Sequence, residues 1–91
     1  MKNITIETTD IFEGVDNLEL IDVNATRAKF FELVEEKVAD AFNCGVIMVQ
    51  VNQNRIWFDG ENYTREHEQD ADEINRMINS IWDDGEFYVN A

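Results

Sequence analysis

Phe30, Val34, Val38 and Ala41, flanked by Phe31, Leu33 and Phe42, return at the spacing of one side of an α-helix. Such a helix holds in water only when a second layer covers its apolar side, so this stripe sets the problem that the rest of the chain must solve. Asp22 or Asn24 caps its start, because a short side-chain acceptor meets the free amides of a first turn, and the helix runs through Thr26 to about Asn43. Cys44-Gly45 ends it, since glycine tolerates the left-handed conformation that commonly follows a helix.

The covering layer is written in short β-branched runs. Asn3 to Thr8 alternate apolar and polar residues as a half-buried strand does. An acidic loop with Gly14 follows, and Leu18 to Val23 is a possible second strand. Val46 to Val51 and Arg55 to Phe58, separated by Asn52-Gln53-Asn54, form a hairpin by composition. Asp59-Gly60 fits a tight type I′ turn, which returns Glu61 to Thr64 as a further strand of the meander. A second helix is predicted from Asp70, with Glu73 in capping-box spacing, to about Trp82, with Ala71, Ile74, Met77, Ile78 and Ile81 on its apolar side. Gly85 closes it, and Glu86 to Val89 join the sheet as a terminal strand. The predicted class is α+β: an antiparallel sheet of about four to five strands packed against two helices, order β-(β)-α-β-β-β-α-β, in a single domain over residues 1–91.

Hydrophobic residues make up 44% of the chain, enough for a thin core and against disorder. The charge is the unusual quantity. Twenty Asp and Glu face seven Lys and Arg, a net charge of −13, where a small domain carries roughly 2 to 8 in magnitude. Such a chain repels nucleic acid and anionic membranes and attracts basic surfaces or cations. The lone Cys44 has no internal disulfide partner, the N-terminal residues form no apolar signal segment, and no window is long and apolar enough to span a bilayer, so the expected location is the cytoplasm.

Acids fall at Glu7, Asp10, Glu13, Asp16, Glu19 and Asp22, every third residue, with no Lys or Arg between Lys2 and Arg27. In extended chain that spacing separates carboxylates by about 10 Å and imitates part of a phosphate track; the ordinary alternative is a solvated acidic loop. A second cluster, from Asp59 and Glu61 through Glu66, Glu68, Asp70, Asp72 and Glu73, is partly explained by the dipole at the start of the second helix. Asp83 and Asp84, followed by Glu86, are not, because they stand at that helix's C-terminal end, where negative charge is disfavoured. Glu32, Glu35, Glu36 and Asp40 lie off the apolar stripe near Lys29 and Lys37, as on a solvated face. Trp57 points opposite to Ile56 and Phe58, with Arg55 and Asp59; exposed, it is an anchor for a partner, and the alternatives are cover by the second helix or by a dimer mate.

Chemistry finds little support. No EF-hand pattern is present, and Cys44 and His67 are too far apart in sequence to make a ligand pair, so neither metal nor cofactor is expected. Cys44 follows a helix C-terminus, the wrong end to activate a thiol, and His67, between two glutamates, reads as an exposed capping-region residue. The expectation is a binding protein and not an enzyme. Its candidate partner-binding residues are Asp10, Glu13, Asp16, Glu19, Asp22, Trp57, Asp59, Glu61, Asp83, Asp84 and Glu86, and its partner a basic protein surface, above all a nucleic-acid-binding one. In charge and size the chain resembles the small DNA mimics encoded by phages and mobile elements, the anti-restriction and anti-CRISPR proteins; the resemblance is one of composition and covers no motif. A small acidic accessory protein, monomeric or dimeric through its sheet, is the second expectation, and halophilic adaptation of an ordinary domain the third.

Overall fold

The computed structural model describes residues 3–16, 18–58 and 65–90. Along the chain come β1 (Asn3–Thr8), a 3-10 turn (Leu18–Leu20), α1 (Val23–Phe42), β2 (Gly45–Gln50), β3 (Arg55–Phe58) and α2 (Arg65–Asp84). The class is α+β with two helices, as expected, but the sheet is mixed and three-stranded, ordered β2-β1-β3, and not an antiparallel sheet of four or five strands. β1 pairs in parallel with β2, from Asn3↔Gly45 to Thr8↔Gln50, and antiparallel with β3, from Ile4↔Phe58 to Glu7↔Arg55. The parallel pair follows from α1, which carries the chain back to the end of the sheet where β1 began.

The expected hairpin between Val46–Val51 and Arg55–Phe58 does not form, because β1 is inserted between its two arms. Residues 51–54 cross over the end of β1 and are held there: the Val51 amide donates to the Thr8 carbonyl at 2.8 Å, and the Thr9 amide to Asn54 Oδ1 at 3.1 Å. Two strand spacings are about 10 Å, within reach of four extended residues. Turn composition is therefore compatible with both arrangements, and the apolar pair Ile4 and Ile6 decides between them. Both are buried on one side of the central strand, between Val46 and Met48 of one neighbour and Phe58 and Ile56 of the other. The proposed turn Asp59-Gly60 and strand Glu61 to Thr64 lie outside the described residues.

Asp22 caps α1, its carboxylate accepting from the Ala25 amide at 3.0 Å; Asn24 lies inside the first turn. The buried stripe is Thr26, Phe30, Val34 and Val38, a strict four-residue repeat, while Ala41 is exposed. Asn43, at φ 51°, takes the left-handed position that ends α1. Gly45 instead opens β2, where a Cβ would come within 2.6 Å of Asn3 Oδ1 across the sheet. α2 begins five residues before the expected Asp70, which is thus not a cap. His67, in its first turns, is buried and stacked on Phe58 with centroids 4.7 Å apart, so the reading of an exposed capping histidine is corrected.

After α2 the chain turns at Gly85 (φ 68°), and residues 86–90 form no strand of the sheet. They lie against the start of α1: Ile21 and Asn90 make an isolated bridge, and the Asp22 amide donates to the Val89 carbonyl at 2.8 Å. The wholly buried Thr26 completes the clasp, its hydroxyl accepting from the Val89 amide at 3.0 Å and donating to the Val89 carbonyl at 3.4 Å. Thr26→Val keeps the shape but strips the Val89 amide of this acceptor, while the carbonyl retains Asp22. The expected cost is about 1–3 kcal/mol in urea unfolding, with Thr26→Ser losing less than half of that. Equal stability of the Val variant and wild type would mean that the tail is not held through this hydroxyl.

Candidate functional site

The structure brings two of the three acidic segments together. Residues 9–16 are wound and not extended: the Glu13 amide donates to the Asp10 carbonyl at 3.2 Å and the Val15 amide to the Phe12 carbonyl at 3.0 Å. A 3-10 turn stands where Leu18 to Val23 was expected as a strand. The even row of carboxylates that an extended chain would present is therefore absent. Phe12, which carried no weight in the sequence pattern, is what folds this segment down: it is 4% exposed, with its ring 6.3 Å from that of Trp82 at the end of α2. Together with the clasp at Val89, this contact sets Asp10, Glu13, Asp16, Glu19 and Asp22 at the same end of the molecule as Asp83, Asp84 and Glu86.

All eight of these acids are exposed. Two have local duties. Asp22 is the helix cap, and Asp10 accepts from the Phe12 amide at 3.0 Å and stands 3.8 Å from Arg27 Nη2. Arg27 itself lies over the Phe12 ring at 5.6 Å and donates to Asn24 Oδ1 at 3.1 Å, while its Nε is enclosed without an acceptor among the described residues. Glu13, Asp16, Glu19, Asp83, Asp84 and Glu86 form no ion pair or side-chain hydrogen bond with any described residue. Asp83 and Asp84 close α2, where the helix dipole opposes them. Other exposed acids lie along the helices, among them Glu32, Glu36 and Asp40 on α1 and Glu68, Asp72 and Glu73 on α2. Glu35 is not a bystander: its carboxylate accepts from the Met48 amide on the edge strand at 2.9 Å, blunting an edge that would otherwise invite pairing. Asp59 and Glu61 lie outside the described residues.

Trp57 stands apart from the acidic end. It is 42% exposed on the sheet face opposite the helices, as alternation predicts, so α2 does not cover it. Its indole Nε1 donates to Glu7 Oε1 at 2.6 Å, and the Arg55 guanidinium stacks over its ring at 3.5 Å. The ring is thus held from both sides, and the charges beside it offset each other. Ile47, 57% exposed, shares this face, with Thr5 between the two.

Between the sheet and α2 lies a cleft of about 800 Å³. Ile6, Ile56 and Phe58 line it from the sheet, Ala71 and Ile78 from α2. Ile11 and Trp82 belong both to the cleft and to the segments that carry the acids. Asn54, Asn75 and Asn79 supply carboxamides. Sequence reasoning missed this feature, although its signal was present. α2 has more apolar surface than one core contact uses: Ile74 and Ile81 are buried, while Ala71, Ile78 and Trp82, at helical spacing on an adjacent side, are only partly covered. Among the described residues no group of three or more His, Cys, Asp or Glu is placed to hold a metal ion, and no helix is long and apolar enough to cross a membrane. Family models, curated proteins and solved structures return no match to this chain, so any functional reading rests on its own residues.

Proposed function

We propose that this chain is a non-catalytic binding protein that occupies a basic nucleic-acid-binding site of a target protein, its acidic end presenting carboxylates where phosphates would lie. One observation carries the reading. Acids from two segments some sixty residues apart, Asp10 to Asp22 and Asp83 to Glu86, meet at one end, and six of them have no partner among the described residues. Charge gathered in this way costs stability, doubly so at a helix C-terminus, and features that oppose the fold are where function is best sought. A nucleic-acid groove carries Lys and Arg and would be reached quickly by such a surface, more slowly as salt rises. The biological setting that fits is an anti-restriction or anti-CRISPR inhibitor of phage or mobile-element origin, acting in the cytoplasm.

The test is affinity capture from host lysate in low and high salt, with excess duplex DNA as competitor. A nucleic-acid-binding protein should be captured and then released by both salt and DNA. Capture indifferent to both would favour an accessory protein that uses no mimicry, for which the apolar cleft and the exposed Trp57 speak. Stability that climbs steeply in molar salt, with no basic target captured, would instead assign the acids to halophilic adaptation.

A further inference from the structure

We infer that the cleft between the sheet and α2 receives an apolar side of a partner segment whose flank is basic, so that one amphipathic stretch of the target fills the cleft and meets the acidic end together. The inference rests on the reading above and adds the chemistry of the partner. At about 800 Å³ the cleft is of a size that binding sites occupy, and its lining mixes apolar side chains with Glu7, Thr8, Arg55 and three asparagines. Those groups suit a peptide, because the carboxamides of Asn54, Asn75 and Asn79 can each donate and accept, as peptide groups do. They do not suit an anionic amphiphile. Arg55, the cation among the lining residues, is stacked on Trp57 and sits opposite Glu7 in the sheet register, so its charge is already offset.

Charge complementarity sets the flank. Ile11 of the cleft lies between Asp10 and Phe12, with Glu13 one residue on, and Trp82 is followed by Asp83 and Asp84. Whatever enters beside Ile11 and Trp82 thus emerges among carboxylates, where Lys or Arg is favoured and Asp or Glu repelled. An apolar anchor next to complementary charge is the arrangement of a binding hot spot, which a surface of carboxylates alone would lack. It also gives a use to the surface of Ala71, Ile78 and Trp82 that packing against the core leaves uncovered.

Trp82 lines the cleft, so its occupation reads out in intrinsic fluorescence without a label. The probes are three synthetic peptides: a helical Leu/Lys peptide, apolar on one side; a Lys-only peptide of equal charge; and a Leu/Glu peptide of the same pattern. The Leu/Lys peptide should bind about tenfold or more tightly than the Lys-only peptide and shift the tryptophan emission. Asn75→Phe, made at an exposed position on the cleft wall, should bring its affinity down to the Lys-only level, and Asn79→Phe should do likewise. Equal affinity for the two basic peptides, unmoved by either Phe variant, would overturn the cleft while leaving the acidic end as the binding surface. Binding of the Leu/Glu peptide as tight as that of the Leu/Lys peptide would overturn the basic flank and, with it, the electrostatic reading of the target.

Discussion

Phe87→Ala should bring this protein close to unfolding. Phe87 is wholly buried, with its ring centroid 4.8 Å from Phe30, 5.2 Å from Trp82 and 4.6 Å from Tyr88. Truncating such a phenylalanine costs about 3–5 kcal/mol, made up of lost transfer free energy and the cavity left behind. At about 0.05 kcal/mol per residue, the low end of the usual range and the one a thin core suits, 91 residues carry about 5 kcal/mol in all, so the cost takes up most of it. The loss should also spread. Phe87 pins the residues after α2 against the start of α1, so the Thr26–Val89 clasp and the Ile21–Asn90 bridge loosen with it. Urea unfolding should show the midpoint falling by about 2–3 M with little change in slope, and Phe87→Leu should recover a large part of it. A loss under about 1 kcal/mol would mean that the tail is not packed into the core, since only surface positions are so lightly felt. The convergence of the two acidic segments would then lose one of its supports.

Asp83→Asn, Asp84→Asn and Glu86→Gln, made together, should move stability and binding in opposite directions. Removing Asp83 and Asp84 from the C-terminal end of α2 relieves an unfavourable dipole interaction of about 0.3–1 kcal/mol each, so the thermal midpoint should rise. The net charge falls from −13 to −10, three acids having been neutralised, which also lowers self-repulsion. Affinity for a basic target should drop, since three exposed pairs at somewhat under 1 kcal/mol each amount to about 2 kcal/mol, roughly thirtyfold. The loss should appear mainly in the association rate and shrink as salt is added, because exposed charges steer encounter more than they hold the complex. Isothermal titration and stopped-flow mixing against the captured target would measure both. A variant that is more stable and binds as before would remove this patch from the interface; one that is less stable would contradict the assignment of Asp83 and Asp84 as strained.

Much of what is local was legible in advance. The apolar series around Phe30, Val34 and Val38 marked α1, Asp22 was among its proposed caps, and the alternation of Asn3 to Thr8 marked β1. Gly85 marks the end of α2, where its positive φ is needed. Errors arose where two local readings were equally good. Asn52-Gln53-Asn54 suits a tight hairpin and a crossing over the end of β1 alike, and only burial of Ile4 and Ile6 between two neighbours separates them. Leu18 to Val23 and Glu86 to Val89 have the composition of edge strands, yet each contributes to the isolated bridge region beside α1 and not to the sheet. His67 looked exposed because its sequence neighbours are charged, whereas the face of α2 that it occupies turns toward Phe58.

The sequence by itself determined the helices, the strands nearest to regular alternation and the large negative charge, because propensity, capping and side-chain period act over a few residues and need no knowledge of the rest of the chain. Tertiary structure alone decided the strand order, the docking of the tail through Thr26 and Phe87, the cleft behind Trp57 and Trp82, and the gathering of Asp10 to Asp22 with Asp83 to Glu86. Each of these joins residues far apart in sequence. Such contacts are selected by burial and shape complementarity across the whole core, which no local window contains.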